Sequence, residues 1–150
     1  MDFPAEGPAV AAAEAGKRYV RLEEKMNLAT RHFVRPEAHN HHNTLYAGRL
    51  ADWLTEAAMI GVTKLLGRND HVVLAALEEI RITRPMKAGM ILEFQYEISH
   101  LGTTSIVIFV SVSDMLTGDS HATGSARFVT VDADGRKTPH FLEKGVASPE

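Results

Sequence analysis

The spacing of apolar residues separates this chain into one long helix and a series of strands. From Leu45 to Leu66 apolar positions recur every three or four residues, through Leu50, Leu54, Ala57, Gly61 and Leu65. Arg49, Asp52 and Glu56 share the opposite flank of that helix. Gly67 then supplies a C-terminal stop. Ala51, Ala57, Ala58 and Gly61 make the buried face slim, as a helix held closely against a sheet needs. Elsewhere the period is two. Leu28 to Arg35 alternates loosely before Pro36, and Val72 to Arg84 is a long apolar-rich segment ending at Pro85. Met90, Leu92, Phe94, Tyr96 and Ile98 fall on one face of a strand, with Glu93, Gln95, Glu97 and Ser99 on the other. Thr104 to Ser113 is apolar on both faces, which predicts a central or doubly covered strand. His121 to Val131 follows a Thr117-Gly118-Asp119 turn, and Asp132-Ala133-Asp134-Gly135 closes it.

The order is therefore strand, one helix, then four strands joined by short turns. A helix of about 20 residues cannot be left bare, so the antiparallel sheet must curl round it. That is an α+β domain, expected over residues 17–140. The preceding residues 1–16, MDFPAEGPAVAAAEAG, read as a flexible arm with a short helical turn around Ala9 to Ala15. Residues 141–150, FLEKGVASPE, read as a polar tail. No internal repeat is visible.

Composition narrows the functional classes. A length of 150 residues suits one domain, and 45% hydrophobic with 23% charged residues is ordinary for a globular protein. There is no cysteine, which removes disulfides, zinc–thiolate sites, iron–sulfur clusters and thiol catalysis together. Sixteen Lys and Arg against nineteen Asp and Glu leave a formal charge of −3, unlike the basic face of a duplex-DNA binder, so no nucleic-acid partner is expected. No apolar run approaches the ~20 residues of a membrane span, and the acidic start Met1-Asp2 lacks a signal-peptide pattern. The expectation is a cytoplasmic protein with no membrane partner.

Functional side chains are densest in Asn40-His41-His42-Asn43-Thr44 and the helix residues that follow, Arg49, Asp52, Thr55 and Glu56. A polar loop entering a helix offers unpaired backbone N–H groups at a positive dipole end. A carbonyl gaining negative charge is stabilised there as in an oxyanion hole. A carboxylate one or two turns further on can serve as general base or nucleophile. This suits ester or thioester hydrolysis without Ser or Cys. Each piece also has a plain structural explanation. Asn40 or Thr44 can be caps, and Asp52 and Glu56 beside Arg49 can be a solvated charged stripe. Three histidines in one loop with no second ligand cluster read as exposed loop residues, so no metal is expected. Asn43 suits a left-handed backbone in a tight loop. Trp53 reads as core or interface. Gly102-Thr103-Thr104-Ser105 serves as a hairpin turn, or as a set of hydroxyl donors to a phosphate or pantetheine amide. Arg84, Arg127, Arg136 and Lys137 can supply charge to a polyphosphate. No G-x-x-x-x-G-K-[ST] is present.

Taken together, four of these segments resemble the hotdog-fold acyl-CoA thioesterases. Asn40-x-x-Asn43-Thr44-Leu45-Tyr46-Ala47-Gly48 resembles that family's N-x-x-G-x-x-F-G-G helix entry. Ile80-Arg81-Ile82-Thr83-Arg84-Pro85-Met86-Lys87-Ala88-Gly89 resembles its F-x-x-P-x-x-x-G-D strand end. Gly102-Thr103-Thr104-Ser105-Ile106 is similar to its G-T-T-S-V turn, and Phe128-Val129-Thr130-Val131-Asp132-Ala133-Asp134-Gly135-Arg136 to its F-V-A-V-D-x-D-G-K ending. The resemblance implies a hotdog fold, an antiparallel sheet wrapped around one central helix. It implies a homodimer as the minimum unit, assembled further as a dimer of dimers or trimer of dimers, with acyl-CoA bound across the subunit interface. No separate cofactor is implied, coenzyme A being part of the substrate.

The carry-over to single residues has departures. The family's acid lies seven positions after the second entry glycine. Counted from Gly48 that position is Thr55, and the carboxylate, Glu56, stands one later, about 100° round the helix. Asn43 stands where Gly is usual, Ala47 replaces the first Gly of the pair, and Met90 replaces the Asp after Gly89. Two functions follow. In the first, Glu56 activates water or attacks directly, N–H groups at Ala47 and Gly48 hold the thioester oxygen with Asn40 helping, and Thr103, Thr104, Ser105, Arg84 and Arg127 contact the CoA arm. In the second, the missing acid at Thr55 marks a non-catalytic acyl-CoA or acyl-carrier binding module. A hotdog dehydratase would need an Asp/His pair, and the residues around His42 and Asp52 do not resemble that branch. The enzymatic expectation hangs on Glu56 facing a neighbouring protomer's cargo.

Overall fold

The structure, a computed structural model, describes residues 10–14, 17–21 and 26–145, with side chains from 26 to 143. Its strands are β1 (Val10–Glu14), β2 (Lys17–Arg21), β3 (Asn27–Phe33), β4 (Val72–Ile82), β5 (Ile91–Leu101), β6 (Ser105–Asp114), β7 (Ser120–Thr130) and β8 (Leu142–Gly145). One α-helix, α1 (Ala47–Leu66), lies between β3 and β4. Five strands form an antiparallel sheet in the order β3-β5-β6-β7-β4, so the strand after the helix crosses to the far edge.

Local sequence accounts for the elements. Gly67 ends α1 in the left-handed region at φ 74°, and its N–H reaches the Thr63 carbonyl at 2.8 Å. The helix buries Leu50, Leu54, Ala57, Ala58, Gly61, Val62 and Leu65, the stripe its period predicts. On β5 the alternation holds: Leu92, Phe94 and Tyr96 are fully buried. β6 is central, and its inner face of Ile106, Ile108, Val110 and Val112 is buried. Each such aliphatic side chain contributes roughly 1.5–3 kcal/mol by leaving water. On the outer face Val107 is buried as well, as the two-sided apolar pattern implied.

The helix packs chiefly on β3, β5, β6 and β7, which leaves β4 as an overhang. On β4, Leu74, Leu77 and Ile82 stand opposite Phe128, Ala126 and Ala122, whose buried side chains line the inner face. These β4 residues therefore point to the helix side of the sheet, yet remain 36–47% exposed. Ile80, close to the Gly124 position, continues the stripe at 37% exposure. The outer edge of β4 has no partner strand among the described residues. Near its middle Glu79 has φ 49°, where pairing with β7 slips between Glu78 and Arg81.

Both flanks differ from expectation. The Ala9–Ala15 helical turn is not formed: Val10–Glu14 is a strand, paired antiparallel with β2. Alanine favours helix, but so short a segment does not repay helix nucleation, whereas a neighbouring strand offers backbone partners at once. The remainder of the 1–16 arm lies outside the described residues. The 141–150 tail is also partly strand, since β8 runs parallel to β2 and Leu142 is only 3% exposed. One apolar side chain there anchors what composition read as polar tail; residues 146–150 lie outside the described residues.

Helix and sheet meet most closely at Gly61. A Cβ there would lie 2.7 Å from Cδ2 of the buried Tyr96 ring. Gly61→Val should destabilise the fold by about 2 kcal/mol through overpacking, lowering Tm by roughly 4–8 °C. Thermal and denaturant unfolding of both proteins measure this, and an unchanged midpoint would refute the close approach.

Candidate active site at the helix entry

The loop from His39 to Thr44 is built around one side chain. Asn40 Oδ1 accepts hydrogen bonds from the His42 N–H (2.9 Å), the Thr44 N–H (3.3 Å) and the Thr44 hydroxyl (3.2 Å). Three donors on one oxygen fix which way the amide faces. Its Nδ2 makes no hydrogen bond among the described residues and is left to donate elsewhere. The loop closes through Asn40 N–H to Thr44 O at 2.7 Å, with Asn43 in the left-handed region at φ 60° as its identity suggested. Leu45, 3% exposed, pins the loop to the core, and its N–H donates to Met86 O at 2.7 Å. The Pro85–Met86 segment thus underlies the helix entry.

Helix α1 starts without a side-chain cap, its N-cap residue being Tyr46. The Ala47 and Gly48 N–H groups have no acceptor among the described residues. The Tyr46 ring folds back over Gly48, where any Cβ would overlap it. Two free amides at a positive helix end form a donor pair suited to an oxyanion.

Glu56 is held by a histidine of β3. Its Oε1 is 2.9 Å from His32 Nε2 on β3, and its side chain is 52% exposed. The His32 ring stacks on Trp53 at 4.4 Å between centroids, and both rings meet Phe94 edge-on. Trp53 and Glu56 therefore occupy the β3 side of the helix. Thr55, about 100° round, lies on the flank toward β4. Its hydroxyl donates to the Ala51 carbonyl at 2.8 Å. The helix is regular from Ala47 to Leu66. His32 holds the Glu56 carboxylate on the β3 side of the helix, the flank opposite Thr55.

The remaining candidates do not converge in one protomer. Arg84 sits at the helix-entry end and pairs with Asp119 at 3.1 Å. Arg127 alternates with the buried residues of β7, so it projects from the outer face, where it meets Glu78 at 3.2 Å. The Gly102–Ser105 turn lies at the other end of β5, an 11-residue strand, about 33 Å away. Its Thr103 lines a cleft of about 650 Å³ with His100, His140 and Phe141, while Thr104 O accepts from Thr130 N–H at 2.8 Å. Burial lowers the His140 pKa from 6.5, opposed by backbone hydrogen bonding. His41 and His42 rings face each other at 3.9 Å, and no group of three metal-ligating side chains forms among the described residues. No helix among them is long and apolar enough to cross a membrane.

Comparison with known proteins matches this arrangement. The thioesterase-superfamily model matches residues 42–115, from the helix entry through β6. A structure of an acyl-CoA hydrolase from Staphylococcus aureus, in complex with butyryl coenzyme A, coenzyme A and coenzyme A disulfide, superposes with a TM-score of 0.68 and 28% identity, over 81% of this chain and 71% of that one. Residues 42–115 carry the thioesterase-superfamily pattern. The chain's sheet and single long helix are those of the hotdog fold, as in a hexameric hotdog-fold thioesterase of Campylobacter jejuni (TM-score 0.64, 20% identity, 75% of this chain and 88% of that one). An uncharacterised acyl-CoA thioester hydrolase of Bacillus subtilis (strain 168) is 27% identical over 104 residues, 67% of this chain. The chain spans 59% of that curated relative's length.

Sequence reasoning missed the His32–Trp53–Glu56 cluster. Its signal was present in His32's place on an alternating strand and in the i, i+3 spacing of Trp53 and Glu56. Pairing them needs the placement of β3 under the helix, which no local pattern supplies. For His140, a folded pKa below the unfolded value means that the unfolded chain binds more protons. Stability should fall as pH drops from above 6.5 toward the folded pKa, and His140→Gln should flatten that slope. Denaturation of both proteins at pH 7.5 and 5.5 tests this; equal slopes would contradict it.

Proposed function

We propose that this protein hydrolyses acyl-CoA thioesters as a homodimer or larger homo-oligomer. The observation that carries the reading is the uncapped entry of α1, where the Ala47 and Gly48 amides and the Asn40 amide nitrogen are free to polarise a carbonyl. A second copy on the open edge of β4 would cover Leu74, Leu77, Ile80 and Ile82 and supply an apolar channel for the acyl chain. Glu56 is the candidate base. It is open to water, and its hydrogen bond to His32 orients the carboxylate. Glu56 lies eight residues beyond Gly48, a rise of about 12 Å, too far for both to act on one carbonyl within a chain. Amides of one protomer would then meet the carboxylate of another copy presented by its β3 flank and not by its β4 edge. The hydroxyls of Thr103, Thr104 and Ser105, with Arg84 and Arg127, are candidates for the CoA arm of the same or a neighbouring subunit.

A second reading, acyl-CoA binding with little turnover, is favoured by Thr55. The flank facing β4 carries a hydroxyl donated to Ala51 instead of a carboxylate.

Release of free CoA from a panel of acyl-CoAs separates the two. If Glu56 is the base, Glu56→Gln should lower kcat by about 100-fold or more while CoA binding persists. Thr55→Asp should then change little. If turnover is unaffected by Glu56→Gln and rises at least tenfold in Thr55→Asp, the second reading replaces the first.

A further inference from the structure

A cleft of about 340 Å³ opens between the end of β3 and the first turns of α1, on the flank away from β4. Its walls include Arg31, Phe33, Arg35, Glu37, Arg49 and Trp53, three guanidinium groups against one carboxylate. Arg31 is held by Glu93 at 2.8 Å and Arg49 by Asp52 at 3.5 Å, and neither acid lines the cleft. Arg35 is exposed and makes no ion pair among the described residues. Arg49 stands in the first turn of α1, where the helix end adds positive potential. The aromatic walls are equally specific. Phe33 is 56% exposed, and Trp53 is fixed in orientation by the His32 stack and the edge of Phe94. A volume near 340 Å³ falls at the small end of ligand sites.

We propose that this cleft binds a phosphorylated nucleoside. Arg35 and Arg49 engage the phosphate through their guanidinium forks, and the base lies against Phe33 and the edge of Trp53. Guanidinium is matched to phosphate geometry and retains its charge at any physiological pH. A flat heterocycle gains from aromatic walls that lose no freedom on contact. Two sources share this chemistry: the 3′-phosphorylated nucleotide end of CoA, which rests on the proposed function, and a free nucleotide, which does not.

The chain has one tryptophan, so its emission reports on the cleft directly. The full chain is titrated with adenosine 3′,5′-bisphosphate, ATP, inorganic phosphate, CoA and dephospho-CoA, by fluorescence and calorimetry, with no turnover required. The expected result is saturable binding of a nucleotide, at least tenfold tighter than phosphate. Affinity should weaken at least tenfold in Arg35→Ala, recover in part in Arg35→Lys, and stay unchanged in Arg68→Ala. If CoA displaces the bisphosphate and Arg35→Ala raises KM for acyl-CoA at constant kcat, the nucleotide is that of the substrate. If CoA and nucleotide bind together, it is a separate ligand. Absence of saturable binding by both methods, full retention in Arg35→Ala, or phosphate binding as tightly as any nucleotide would each overturn the proposal. A protein that binds nucleotide but releases no CoA would sink the hydrolase reading and leave this one standing.

Discussion

The closeness of α1 to its sheet is the constraint on which the other features depend. Ala57, Ala58 and Gly61 carry almost no side chain toward the strands, and Tyr96 fills the space this leaves. Closeness lets a single helix close the core of a five-stranded sheet, since short side chains bring its backbone within reach of β5 and β6. The same closeness limits its span. Such a helix covers four strands and not five, so β4 is left with its inner face apolar and half-exposed. The flank facing β4 and the flank facing β3 thereby become chemically different surfaces, one open and greasy, the other polar and aromatic.

Much of this was legible in the residues. Period and punctuation place α1 correctly, because Gly67 and the 3.6-residue stripe are local properties of the chain. The inner face of β5 follows from alternation alone. The polar helix entry could also be recognised, and Asn43 has the left-handed backbone its side chain tolerates. What local patterns do not carry is strand order. Whether β4 joins β3 or crosses to β7 leaves no trace in periodicity, and that choice decides which side of the helix is open. β1 and β8 were missed for a related reason. Their stability comes from pairing with β2, a partner distant from β8 in sequence, and only Leu142 offered an apolar hint.

The candidate site was legible in part for the same reason. Its backbone donors belong to one contiguous stretch, so the sequence places them together. Its carboxylate depends on a side chain 24 residues away: Glu56 is directed by His32. Neighbouring positions on a helix diverge by about 100°, so the exchange of acid and hydroxyl between Thr55 and Glu56 moves a charge from one flank to the other. The helix entry stays uncapped, while the Glu56 carboxylate sits beside an imidazole. Thr103, Thr104 and Ser105 could be singled out as a turn, and that turn lies at the far end of an 11-residue strand from the helix entry.

The kink at Glu79 limits what the rim of the sheet can become. An unpaired, flat, apolar border strand is a template on which copies add without end. A left-handed residue in its middle breaks the row of donors and acceptors, so a straight strand cannot lie flush along its whole length. A strand added there must carry a matching kink to lie flush, which works against open-ended addition of straight strands.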